Sequence, residues 1–230
     1  MPKSRGRAPA KRGPSKPHAA ARPKAQARPA PSRRRSYLFR GIALVVVAAL
    51  TYLLLLRARG PGEISAEALS AADAAGCAEL ERPVDVEPSR THLDPGESFD
   101  YEDPPAAAGP HDPSPLPDEP RVYAEPVSET RAVHSLEHAF VIVYHDGLSA
   151  DAVAALAILA KDSDRVIVAP YPGLPEGTGL ALVAWNTRWR CPPSVSAEQA
   201  VAVARGFADA FAGTTVAPEA PRGLLGPLFQ

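Results

Sequence analysis

The feature that most restricts this chain is a run of sixteen residues without a charge, Gly41 to Leu56 (GIALVVVAALTYLLLL), set between two halves of opposite sign. At about 1.5 Å per helical residue the run spans roughly 24 Å, slightly less than a bilayer core. Tyr37, Leu38 and Phe39 extend it, with Arg40 near the end, where its stem reaches the headgroups. Thirteen Lys and Arg precede Gly41, whereas Arg57 and Arg59 alone follow at short range. The positive-inside rule therefore places the N-terminus in the cytoplasm and the C-terminal part outside it. A cleaved signal peptide would need a basic region of some forty residues, and Arg57 interrupts the approach to a small-residue cleavage site. No Cys follows closely enough for a lipoprotein. A buried core helix is not the expected reading, because the preceding forty residues cannot form a core around it.

The net charge of -1 conceals the asymmetry. Residues 1–59 carry fifteen Lys and Arg and no Asp or Glu; residues 60–230 carry ten Lys and Arg and all 26 acids. The acidic part repels nucleic acid. The basic tail has almost no large apolar side chain, so it cannot offset its chain entropy and is expected to be disordered. Its expected partner is anionic lipid, at about 1 kcal/mol per nearby charge. It has neither an aromatic nor a groove with which to bind nucleic acid specifically. No feature names a protein partner.

The expected organisation is a disordered cytoplasmic tail over 1–36, a transmembrane helix over 37–57, a helical or flexible stalk over 58–76, an extracytoplasmic domain over 77–213 and a flexible tail over 214–230. Within the domain, eleven prolines lie between Pro83 and Pro126. That stretch excludes a helix or a central strand. Phe99, Tyr101, Val122 and Tyr123 mark it as a strap over a core, so the strap is placed at 77–132 and the α/β core at 133–213. AFVIVYH (Ala139–His145) reads as a buried strand. Ser149 caps a helix to about Lys161, with Asp151 in its first turn. RVIVA (Arg165–Ala169) reads as a second strand. LALVAWNT (Leu180–Thr187) reads as a third, running on towards Arg190. Ser196 and Gln199 form a capping box. Ala200, Val203, Ala204, Phe207, Ala208 and Phe211 then mark one helical face. The fold class is α/β, a small β-α-β-β-α sandwich with a Pro-rich strap, its first two strands parallel if they are neighbours.

Cys77 and Cys191 are the two cysteines of the chain, and both fall outside the cytoplasm. An isolated pair in an oxidising compartment predicts a disulfide, against the alternative of two free thiols. With no C-x-x-C, zinc is not their expected ligand.

Several landmarks occur in a recognisable order: Cys77, DPPAAAGPH ending at His111, VYAEPV from Val122, VHSLEH from Val133, VIVAPYPGLP from Val166, and Ala184–Trp185. Over residues 75–192 the chain resembles the bacterial domain-of-unknown-function family 3105, membrane-anchored proteins of unassigned activity. VHSLEH and PYPGLP are the most specific parts. The segment before His111 is one residue longer and richer in alanine than in the family, and Ala139 and Asn186 stand where the family usually has glycine. The resemblance implies no reaction.

Chemistry must therefore be read from the histidines. Five of the six lie after residue 60: His92, His111, His134, His138 and His145. On a helical turn His134 and His138 share a face and can chelate one ion; on a strand they would lie about 13 Å apart. A shared site thus needs a helix or loop just before Ala139. His111 is a third ligand if the strap docks there, and His92 a weaker fourth, with Glu137 as outer partner or base. Such imidazole sets suit Zn(II) or Cu(II). Met1 is the single methionine, which excludes a thioether copper site. The plainer reading, favoured because unpaired histidines more often pack or hydrogen-bond than ligate, is that they hydrogen-bond the strap to the core. HSLEH also matches the H-x-x-E-H string of inverzincin proteases, but the strand that follows at once denies it a long helix. No G-x-S-x-G, P-loop or dinucleotide fingerprint is present, and Ser135 between two histidines is no evidence of a triad without geometry. The leading expectation is a membrane-tethered extracytoplasmic binding or structural domain, for which a transition-metal site through His111, His134 and His138 is one reading of the histidines and a purely structural role the other. The alternatives are a metal-dependent enzyme with Glu137 as general base and a ligand-free cell-envelope scaffold.

Overall fold

The computed structural model describes residues 42–48, 50–51, 60–82 and 90–221. Contacts divide the chain into two units, Met1–Leu55 and Leu56–Gln230. In the first, residues 42–48 and 50–51 are helical. Among the described residues no helix is long and apolar enough to cross a membrane. The predicted tail over 1–36 and the flanks of the predicted span, 37–41 and 52–57, lie outside the described residues.

The second unit is built on four strands, β1 (Val141–His145), β2 (Val166–Pro170), β3 (Leu180–Ala184) and β4 (Thr187–Cys191), in the order β2-β1-β3-β4. β1 and β2 are parallel, as a crossover through a helix requires, and the other pairs are antiparallel. The helices of this unit are α1 (Ala66–Ala74), α2 (Glu129–Glu137), α3 (Ala150–Lys161) and α4 (Ala197–Phe211). Ser149 caps α3, and Ser196 with Gln199 closes a capping box on α4, as their spacing predicts.

Side chains alternate along each strand, so the sheet has two cores. Val141, Val143, Val166, Val168, Leu180 and Leu182 face α3, α4 and the end of α1. Ile142, Tyr144, Ile167, Ala181 and Val183 face α2 and the strap residues Ala106, Ala107, Ala108 and Leu116. The mixed α/β sheet agrees with expectation, but the predicted third strand is a hairpin. Trp185 and Asn186 form a two-residue turn with Asn186 at φ 51°, and the chain doubles back. Asn tolerates that left-handed geometry, so no glycine announces the turn. The segment read as a stalk supplies α1, which lies so close to α4 that a Cβ on Gly206 would stand 2.1 Å from Ala68 Cβ. Residues 214–221, read as the start of a tail, fold back: Ala217 is buried and the Glu219 amide donates to the Glu137 carbonyl at 3.0 Å.

The Pro-rich strap covers the second face and both sheet edges, which would otherwise offer unpaired backbone groups. Tyr123 donates to Val168 O and Val168 to Arg121 O on the β2 side. Ahead of the strap's prolines, Glu81 and Arg188 exchange two hydrogen bonds on the β4 side. Cys77 and Cys191 form a disulfide that fastens the start of the domain to the end of β4. Beside it Arg188, 1% exposed, donates to Glu81 Oε2, to the carboxylate of Asp103 and to the carbonyls of Asp103 and Pro105. Arg190 donates to the same two carboxylates. Burial opposes the Asp103 carboxylate, but hydrogen bonds and charge from Arg188 and Arg190 outweigh it and hold its pKa below the ordinary 3.8.

Candidate metal centre

α2 begins where Ser128 accepts from the Arg131 amide, with Glu129 in the first turn. Its apolar positions Ala132, Val133 and Leu136 turn onto the sheet, which leaves His134, Glu137 and His138 on a neighbouring face. The helix ends in a Schellman pattern: the Phe140 amide bonds Ser135 O at 3.1 Å and the Ala139 amide bonds Leu136 O at 3.0 Å. This requires φ 64° at Ala139, one of the two positions where glycine would be expected. The bend converts helix to strand within two residues, so HSLEH stays helical immediately ahead of the apolar strand.

The strap brings His111 onto this face. Its amide donates to Thr91 O at 3.0 Å and its carbonyl accepts from Leu93 at 2.8 Å, a parallel bridge that carries His92 alongside. Gly109, at φ 130°, makes the turn before it, and Tyr101 occupies the space a side chain there would need. The ring of His111 is fully buried, edge-on to Trp185. Ser135, free of any triad, takes the Leu116 amide on its hydroxyl at 3.0 Å and secures the next part of the strap.

Ligand atoms from His92, His111, His134 and Glu137 all lie within 4.8 Å of one another. Three of the four residues are buried and His92 is exposed, so the cluster has one open side. The tautomers follow from the outer contacts. His111 Nδ1 donates to Gly109 O at 2.8 Å and His134 Nδ1 donates to Asp112 O at 2.6 Å. Each Nε2 is then left with a lone pair, the arrangement metal-ligating imidazoles adopt when a backbone carbonyl orients them. Asp112 is itself held by the amides of Gly96 and Ser114, which keep its carboxyl below the ordinary range. His111 Nε2 lies 3.0 Å from Glu137 Oε2, yet out of line for a hydrogen bond, and has no hydrogen-bond partner among the described residues. Arg90 holds the other oxygen, Oε1, of this buried carboxylate.

His138 is one step further out. Its Nε2 is 3.0 Å from His134 Nε2, with the rings stacked at 4.9 Å, but it is not part of the set that converges within 4.8 Å. Beyond it stands Glu219, whose Oε2 is 3.6 Å from His138 Nε2 and whose Oε1 is held by Arg90. The structure thus gathers His92, His111 and His134, each named from sequence. Glu137, read as an outer partner or base, stands among the ligand atoms themselves. His145 lies elsewhere, at the end of β1, where burial lowers its pKa. Arg90 and Glu219 escaped sequence reading; they are single charged residues outside any pattern. A cavity of about 740 Å³ is lined by Phe99, Tyr101, Asp103, Asn186 and Arg188 among others, and neither the histidines nor Glu137 lines it.

These features define a small mixed α/β domain with a His/Glu cluster able to hold a metal ion. The family model described as "Protein of unknown function (DUF3105)" matches residues 92–222, and the chain belongs to that family. No curated protein and no solved structure matches. The matched span begins at His92 and contains His111, His134, Glu137, His138 and Glu219; Cys77 and Arg90 precede it.

Proposed function

We propose that this chain is a membrane-tethered extracytoplasmic domain that holds one divalent transition ion, Zn(II) first and Cu(II) as its competitor, through His92, His111, His134 and Glu137. The observation that carries the reading is the convergence of three imidazoles and a carboxylate within 4.8 Å, with two of the rings oriented by backbone carbonyls. Three nitrogens and one oxygen make a four-coordinate set suited to Zn(II), while imidazole also suits Cu(II). Arg90 on Glu137 Oε1 leaves Oε2 turned to His111, so the carboxylate is aimed by an outer partner. The buried His111 Nε2 makes no hydrogen bond among the described residues and faces Glu137 Oε2 at 3.0 Å, so the two atoms are placed to share one ion. The membrane placement rests on the thirteen positive charges before Gly41 and the apolar run after it.

Metal analysis of the full chain, purified without a polyhistidine tag, tests the site. About one equivalent of Zn(II) is expected, lost in His134→Ala. Metal-free wild type that takes up no Zn(II) or Cu(II) would overturn the reading and leave histidines that only fasten the strap. A reporter fused at Gln230 tests the topology, and activity inside the cytoplasm would contradict it.

A further inference from the structure

Two carboxylate–histidine pairs stand side by side in this domain, and their chemistry is matched. In the inner pair Glu137 Oε2 is 3.0 Å from His111 Nε2, and both side chains are almost fully buried. In the outer pair Glu219 Oε2 is 3.6 Å from His138 Nε2, with side chains 42% and 36% exposed. One guanidinium, Arg90, holds Oε1 of both carboxylates and leaves each Oε2 turned towards its histidine. The pairs are joined a second time through the histidines, because His138 Nε2 lies 3.0 Å from His134 Nε2, a member of the inner set.

We infer that His138 and Glu219 form a loading site, which takes a divalent cation from solvent and passes it to the inner cluster through His134. This rests on the metal reading above and adds the route. Two metal–ligand bonds of about 2.0–2.2 Å span the gaps on both sides of His138, to His134 and to Glu219. His134 Nδ1–H is committed to Asp112 O, so Nε2 offers its one lone pair to one ion at a time. An ion that His134 Nε2 shares with His138 and Glu219 cannot coexist with one that the same nitrogen binds in the inner cluster, so the shared nitrogen makes the step a hand-over between ligand sets. Burial sets the direction. The outer side chains meet solvent, while His111, His134 and Glu137 do not, so an ion enters past His138 or by the exposed face of His92. The outer carboxylate is placed by the backbone as well: the Glu219 amide is tied to Glu137 O at 3.0 Å and Ala217 is buried beside it. The returning C-terminal segment thus carries a functional ligand.

Stopped-flow mixing of the metal-free full chain with Zn(II), beside equilibrium titration, separates rate from affinity. His138→Gln and Glu219→Gln change partly exposed side chains, and their melting temperatures report that the fold survives. Each variant is expected to slow association about tenfold or more while the dissociation constant moves by less than about threefold, dissociation slowing in parallel. Association at the wild-type rate in both variants would overturn the loading site and leave the inner site standing. So would a weakened dissociation constant at unchanged association rate, which would make the two residues permanent ligands. Wild-type protein that binds no Zn(II) at all would instead overturn the metal reading itself, and the loading site with it.

Discussion

Two buried polar clusters fasten the strap to the sheet, and they are built on opposite principles. On the β4 edge, Arg188 and Arg190 meet Glu81, Asp103 and three backbone carbonyls, and apart from Arg190 Nε their donors find acceptors. On the α2 side, imidazoles meet imidazoles. The Nδ1 protons of His111 and His134 are spent on carbonyls, His134 Nε2 shares a hydrogen bond with His138 Nε2, and His111 Nε2 faces a carboxylate. In the first cluster two guanidinium charges face two carboxylates, and five of their six nitrogens donate hydrogen bonds. In the second, Arg90 holds the carboxylates from outside, and the ligand atoms of three imidazoles and Glu137 converge within 4.8 Å. On the proposed reading, the difference is that between a polar network that serves the fold and one that serves a ligand.

The largest effect should come from breaking the first cluster. Arg188→Ala leaves Glu81 and Asp103 short of a buried partner and should lower unfolding stability by about 3 kcal/mol, the low end for such a pair because Arg190 remains. Urea denaturation measures it, and Zn(II) stoichiometry in the folded fraction should not change. His111→Ala strikes the second cluster. The metal-free protein should lose about 1–3 kcal/mol, but the upward shift in melting temperature that Zn(II) gives the wild type should disappear. A variant that melts early yet still responds to Zn(II) would reduce His111 to a strap fastener.

Acid should separate the clusters again. The Asp103 carboxyl is held below 3.8 by Arg188 and Arg190, so its stabilisation is present above that value and fades as pH falls below it. Metal binding should already weaken in milder acid, because protons compete for ligating imidazoles. Parallel Zn(II) titrations and unfolding curves against pH would show the two losses apart; a single common transition would contradict the division. The smallest effect concerns the bend that joins α2 to β1. Ala139→Gly relieves a left-handed φ of 64° and should raise stability by up to about 1 kcal/mol. Zn(II) affinity should stay as it was, and thermal melts with and without the ion check both.

Much of the sheet was legible because its signals are local. β1, β2, α3 and α4 carry apolar runs or a 3.6-residue period, with Ser149 and Ser196 as caps. The β3–β4 hairpin was not, since Asn186 makes a left-handed turn without glycine and the apolar run passes straight through it. α2 was visible only as a condition: the i, i+4 histidines demanded a helix, while nine residues with a bend at Ala139 gave little period to read. His111, His134 and His92 could be named as a set because histidine is uncommon. The partners that orient them could not. Gly109 and Asp112 act through carbonyls, which every residue has, and Glu219 reaches the site from beyond α4. Nor did any local pattern disclose Arg188, whose acceptors are spread between Glu81 and Pro105.

The central claim is that the α2-side cluster is completed by a cation. X-ray absorption at the zinc edge, on the full chain loaded with Zn(II), tests it most directly. The account predicts one ion with three imidazole nitrogens and one carboxylate oxygen at about 2.0–2.2 Å, and loss of imidazole scattering in His134→Ala. A shell of oxygens alone, or a wild-type chain that retains no zinc, would contradict it.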